Sequence, residues 1–207
     1  DFWSVGGAWN LDREPFLADS NVINTLKLRA SYGTTGNSQI SQNQFQALFA
    51  FDGAYAGEGA QDVDTFGNED LSWEKNTTMD VGLDFVLLDN LFTGSIGYFN
   101  RDTSDLLLNV PLSLTSGFSS QTRNVGAVNN KGIEAELTAN IIQSDDFNLS
   151  IGGNVSSIQN EVTKLALKPD GTERTISTTT TKVESGHPIR EWFMPTWAGL
   201  ILRLVKK

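Results

Sequence analysis

A period of two runs through most of this chain, and it leaves little choice of fold. From Leu26 the apolar or aromatic positions Leu26, Leu28, Ala30 and Tyr32 alternate with Lys27, Arg29 and Ser31. From Thr77 the row Met79, Val81, Leu83, Phe85 and Leu87 alternates with Thr78, Asp80, Gly82 and Asp84. Phe92, Gly94, Ile96 and Tyr98 are set against Thr93, Ser95 and Gly97; Ile133, Ala135, Leu137, Ala139 and Ile141 against Gly132, Glu134, Glu136, Thr138 and Asn140. Phe147, Leu149, Ile151, Gly153 and Val155 then oppose Asn148, Ser150, Gly152, Asn154 and Ser156. Successive side chains on a β-strand point to opposite faces, so each segment offers one apolar row and one polar row. With the opening segment Phe2–Trp9 these make six candidate strands, and the expected class is all-β.

Two further properties narrow the architecture. The alternating segments reach about 10–16 residues, where strands of soluble proteins usually have about 5–6. Their connections alternate in length. Leu88–Leu91 and Gln143–Asp146 are tight hairpin turns, whose Asn and Asp residues tolerate left-handed backbone. Between them lie long polar stretches at roughly 34–72, 104–130 and 163–195. Segment 10–24 is the exception, and its Arg13–Asp19 stretch is expected to form a helical turn on the short-turn side. Short turns at one end and long loops at the other are the pattern of an outer-membrane barrel. An apolar row suits lipid, which satisfies no polar group, and a polar row suits a watery lumen. A sandwich with one solvated face gives the same alternation, but strand length and loop asymmetry favour the barrel. Six strands are too few to close one, since about eight is the minimum. The expectation is therefore a partial antiparallel transmembrane β-barrel with short periplasmic turns and long extracellular loops.

Composition removes several function classes. The 207 residues include no Cys and one His. That excludes a disulfide scaffold and a cysteine nucleophile, and it argues against clustered metal ligands and a nucleophile–base dyad. A formal net charge of −10 argues against nucleic acid, whose phosphates demand a basic footprint. No run of about 18 apolar residues exists to make a transmembrane helix, which says nothing about barrels. His187 reads as a plain loop residue. The stretch from Asp62 to Asp70 has some calcium-loop spacing, but Trp73 stands where the bidentate Glu belongs, so an acidic solvated loop is the better reading. Asn76–Thr78, Asn148–Ser150 and Asn154–Ser156 match glycosylation sequons by chance, on predicted strands. Thr175–Lys182 is a low-complexity loop or strand extension. No catalytic, cofactor or metal residue is assigned.

The aromatic residues carry more information. Trp3, Trp9, Trp73, Tyr98 and Phe99 are expected near strand ends, as an interfacial girdle. Phe45, Phe49, Phe51, Tyr55 and Phe66 fall in a long loop, where their rings suit stacking on sugars or peptide side chains as well as packing on one another. Phe45, Phe49, Tyr55 and Phe66 are the substrate-binding candidates. Lys27 and Arg29 on one polar row, with Glu134 and Glu136 on another, suit lumen ladders, plug contacts or substrate contacts alike.

Longer strings add a resemblance. Thr115-Ser-Gly-Phe-Ser-Ser120, followed by Asn124-Val-Gly-Ala-Val-Asn-Asn-Lys-Gly-Ile-Glu134, resembles the SusC/RagA family of TonB-dependent outer-membrane transporters. So, in the same order, do Leu26–Asn37, Asn68–Lys75 with Gly82–Asp84, and Asp102–Leu108. The resemblance implies about six strands of a 22-stranded barrel with an N-terminal plug, in the outer membrane of a Gram-negative bacterium. It implies import of oligosaccharides or peptides, with a SusD-like surface lipoprotein as lid and TonB opening the plug. It implies no cofactor and no enzyme activity. Residues 1–199 correspond to an internal piece of the barrel, and 200–207 form a tail with no match. Both ends read as cuts, and a piece without a plug is not expected to transport by itself. The rival of another class is a soluble β-sandwich acting as a carbohydrate-binding or adhesive module.

Overall fold

The computed structural model describes residues 1–38, 45–55, 58–168, 170–177, 181–189, 191–192, 194–198 and 201–205. The chain runs β1 (Ser4–Asn10), a 3-10 turn (Leu11–Arg13), β2 (Ile23–Asn37), β3 (Leu48–Tyr55), β4 (Glu58–Thr65), β5 (Glu74–Leu87) and β6 (Phe92–Ser104). It continues through β7 (Leu107–Pro111), a second 3-10 turn (Leu114–Ser116), β8 (Ser120–Asn124), β9 (Ala127–Gln143) and β10 (Asn148–Lys164). Short strands follow: β11 (Ile176–Ser177), β12 (Thr181–Val183), β13 (Glu191–Trp192), β14 (Met194–Ala198) and β15 (Ile201–Val205).

The six segments that alternate in sequence form one six-stranded sheet in the order β1-β2-β5-β6-β9-β10, with β1 and β10 as its two edges. The five strands after β1 have 15, 14, 13, 17 and 17 residues. Several outrun the alternation: β2 continues through Thr34 to Asn37, β9 starts at Ala127, and β10 reaches Lys164. The backbone ladder goes on satisfying N–H and C=O groups after the apolar row has stopped, so hydropathy marks only part of each strand.

The short connections form as expected, for two different reasons. Leu88, Asp89 and Asn90 all have left-handed backbone, with φ of 53°, 52° and 67°. That conformation is unfavourable for Leu88, and two contacts hold it. The Leu88 N–H donates to Val22 O at 2.8 Å, and the Asp89 N–H donates to Asn24 Oδ1 at 2.8 Å. The second turn contains no left-handed residue. Instead the Ser144 hydroxyl donates to Phe147 O at 2.8 Å and accepts from the Phe147 N–H at 3.1 Å. In segment 10–24 the N–H groups of Leu17 and Ala18 both reach Glu14 O at 2.9 Å, which is the expected helical turn.

The long polar stretches are more structured than the sequence indicates. β3 and β4 form an irregular antiparallel hairpin from Leu48↔Thr65 to Tyr55↔Glu58. β7 and β8 pair from Leu107↔Asn124 to Pro111↔Ser120. β11, β12 and β13 make a small sheet. The tail is paired too, from Met194↔Val205 to Ala198↔Ile201. These strands have only 2–8 residues each, too few to carry a periodic signal.

The chain divides into two compact units. The first comprises Asp1–Thr35, Thr77–Asp102 and Asn129–Asn160; the second comprises Gly36–Asn76, Thr103–Val128 and Glu161–Lys207. Every buried apolar side chain among the described residues belongs to the second unit, where Val128, Val162 and Leu165 pack with Leu106 and Val183. In the first unit the apolar row is bare: Val5, Ile133, Ile151 and Val155 are 62%, 55%, 61% and 68% exposed. A soluble sandwich must bury such a row, because its stability comes from that burial. A lipid-facing wall must leave it exposed.

Candidate functional site

The polar rows of the first unit meet on one face. Arg29 of β2 donates through Nε to Asp84 Oδ1 of β5 at 3.2 Å. Gly82 makes room for that guanidinium, since a Cβ there would lie 2.6 Å from Arg29 Cζ. Arg29 also lines a hollow of about 350 Å³ with Ser95, Gly97, Glu134, Glu136, Asn154 and Ser156. The structure thus brings Arg29 to the glutamates that sequence could not relate to it. Two carboxylates beside a paired arginine leave the hollow acidic. The exposed ion pair contributes little stability, about 0–1 kcal/mol.

Phe99 corrects the girdle expectation. Tyr98 and Phe99 are consecutive on β6 and therefore face opposite ways. Tyr98 is exposed on the apolar row beside Ile96. Phe99 covers Gly132 on the polar row, its ring atoms 2.9 Å from where a Cβ would stand. Trp3, Trp9 and Trp73 are exposed at or next to the ends of β1 and β5. Trp9 also donates its indole N–H to Glu14 Oε1 at 2.8 Å, an apolar ring with a polar tip.

In the second unit, the strings that resemble known transporters are joined by hydrogen bonds. Asn124 Oδ1 accepts the Ser72 N–H at 2.8 Å, and its amide donates to Ser72 O at 2.7 Å and Asp105 O at 2.9 Å. Glu74 accepts the Leu107 N–H at 2.9 Å and the Asn37 amide at 2.8 Å. Asn68 donates to Thr122 O at 2.9 Å, and Gln121 donates to Gly67 O at 2.7 Å. Residues remote in sequence are thereby fixed as one loop hub, and backbone groups outside the ladders acquire partners. Against the hub lies a hollow of about 460 Å³ lined by Phe66, Asn68, Asp70, Gln121, Arg123, Asn124 and Val125.

The loop aromatics separate. Phe66 stacks on Phe118 with ring centroids 5.1 Å apart and forms part of that hollow. Phe45, Phe49 and Phe51 are exposed on or beside β3. The Tyr55 and Asp62 side chains, and residues 178–180 of the low-complexity run, lie outside the described residues. Phe118 carries no signal in the sequence beyond its membership of the transporter-like string Thr115–Ser120, and Arg123 lies between that string and the one that starts at Asn124. His187 stands in a turn with Nδ1 3.0 Å from Glu191 Oε2. Asp170, in an exposed loop, is held below the usual carboxylate range by the Thr172 hydroxyl and then by its N–H, 2.6 and 2.9 Å away. That is turn chemistry, not catalysis.

Comparison with known proteins places this geometry. Residues 2–191 match the family model for the TonB-dependent receptor-like β-barrel. TonB-dependent receptor P3 of Formosa agariphila is 43% identical over 169 residues, covering 79% of this chain and 16% of the relative. TonB-dependent receptor SusC of Bacteroides thetaiotaomicron is 36% identical over 172 residues, covering 79% of this chain and 17% of the relative. The RagAB peptide transporter superposes with a TM-score of 0.85 at 34% identity, over 97% of this chain and 22% of that one. The RagAB peptide importer in its open-open state gives 0.82 at 35% identity, over 96% and 21%. The chain spans 16–17% of the length of these two curated relatives. With its bare apolar row, its polar opposite face and its hydrogen-bonded loop hub, the chain belongs to the TonB-dependent receptor β-barrel family, in the SusC/RagA group of outer-membrane proteins.

Proposed function

We propose that this chain forms wall and surface loops of an energised importer that takes up an oligosaccharide or a peptide together with a SusD-like surface lipoprotein. The observation that carries the reading is the two-faced sheet, whose exposed apolar row opposes an acidic hollow around Arg29, Glu134 and Glu136. In the full-length receptor the loops and lumen residues capture substrate, and TonB then displaces a plug contributed by another part of the protein. Binding and gating do the work, and no bond in the substrate is broken. Phe45, Phe49, Tyr55 and Phe66 contribute rings for stacking. Likeness to the RagAB peptide transporter supports the peptide alternative, and likeness to SusC supports the family role.

The test offers labelled oligosaccharides and labelled peptides to cells carrying the full-length receptor, with and without the proton gradient. The expected result is gradient-dependent accumulation of one class. It should fall about tenfold in a Phe49→Ala/Phe66→Ala variant at unchanged outer-membrane level, the loss expected for about 1.4 kcal/mol of ring contact. Accumulation of neither class overturns import. Accumulation that the variant leaves untouched overturns the role given to the rings.

A further inference from the structure

The hollow at the loop hub carries charges of both signs. It lies wholly within the second unit, between segment 66–70 and β8, and measures about 460 Å³. Gln121 is 8% exposed; its amide donates to Gly67 O at 2.7 Å, and its Oε1 accepts from Arg123 Nε at 2.8 Å. The guanidinium is thereby held by one edge, and its two Nη groups meet no acceptor among the described residues. Gly67 lies against the Gln46 backbone, where a Cβ would stand 2.3 Å from the carbonyl carbon. Asn68 fixes the carboxylate side: its amide donates to Thr122 O at 2.9 Å, and its Oδ1 accepts the Asp70 N–H at 3.2 Å. Phe66, stacked on Phe118, adds an apolar surface. In the first unit Arg29 is neutralised by Asp84. Here no ion pair joins Arg123 to Asp70 among the described residues.

Charge selects the occupant. A guanidinium presents a planar fork that matches a carboxylate through two parallel hydrogen bonds. Asp70, in the same hollow, asks for a cation. A neutral oligosaccharide brings neither charge, and an acidic one brings only a carboxylate, which Asp70 repels. A peptide with an acidic residue near a basic one brings both, and its apolar side chains suit Phe66. The volume lies within the range of about 300–1,000 Å³ typical of ligand pockets. We infer that the hollow docks a peptide segment carrying charges of both signs, with its carboxylate on Arg123 and its cation on Asp70. Such docking rests on the reading that these loops capture what the receptor imports, and it narrows the substrate to charged peptides.

Cells carrying the full-length receptor are offered the labelled peptide Ala-Glu-Phe-Lys-Ala, blocked at both ends so that only its side chains are charged. Companion arms replace its Glu with Gln, or its Lys with Met, and further arms offer labelled maltopentaose and oligogalacturonate. Wild type should accumulate the doubly charged peptide about tenfold faster than either single replacement, the loss expected for a charge-assisted contact. Arg123→Gln should abolish the preference for Glu over Gln, and Asp70→Asn the preference for Lys over Met. Arg123→Lys, which keeps the charge without the fork, should retain part of the first preference. A merely structural role lowers all three peptides alike and leaves the ratios unchanged, and that result overturns the proposal. Import of peptides regardless of charge, or of an oligosaccharide in their place, overturns it while leaving import standing. Import of no probe overturns the import reading itself, and the docking with it.

Discussion

Glycine is the residue on which this wall most depends, and its positions are not equivalent. A Cβ on Gly132 would stand 2.6 Å from Ser157 O and 2.9 Å from the Phe99 ring, so β9 admits no side chain between its neighbour strand and that ring. A Cβ on Gly97 would meet Val81 O at 3.9 Å, an ordinary contact. Gly132→Ala should therefore destabilise the folded receptor by about 1–3 kcal/mol, the usual cost of overpacking. Gly97→Ala should change stability by less than about 0.5 kcal/mol. Urea unfolding of the detergent-solubilised receptor, followed by heat-modifiable migration, measures both. Equal midpoints for the two variants would remove Gly132 from this role.

At the scale of the element, the long loops are the finding that hydropathy does not anticipate. β7 and β8 are held to the segment before β5 by Asn124, Gln121, Asn68 and Glu74, and no apolar alternation marks any of these residues. Each neutral hydrogen bond is worth about 0.5–1.5 kcal/mol net. Asn124→Ala removes bonds to Ser72 and Asp105, so the loop hub should loosen by about 1–3 kcal/mol while the six-stranded sheet stays intact. Hydrogen exchange at the Ser72 amide should accelerate about tenfold or more. Unchanged protection there would mean that Asn124 is not a strut of the hub. The transporter-like strings thus have a mechanical role whatever substrate the loops meet, because several lie within this network.

For the whole molecule the decisive quantity is the location of burial. The described apolar core is confined to the second unit, and the first exposes its apolar row. β1 and β10 are the two edges of the six-stranded sheet, and exposed strand edges template association with other chains. The 207 residues expressed alone should aggregate in buffer and regain β-structure in detergent micelles, as read by circular dichroism and light scattering. A cooperative monomeric transition in buffer would contradict a lipid-facing wall, since an exposed row of this extent is an aggregation liability in water.

The six wall strands, the short turns and the two-faced character were legible because a period of two is written one residue at a time. The choice of wall over sandwich also had a local basis, in strand length and loop asymmetry. The sequence could not show that Phe99 turns away from Tyr98's face to cover Gly132, or that Arg29 meets Asp84 beside Glu134 and Glu136. Each of these depends on register between strands, which no single segment encodes. The same holds for the hub: Asn124 finds Ser72 only after the chain has closed long loops. Alternation therefore determined the faces, while pairing across the sheet and between loops decided what stands on them.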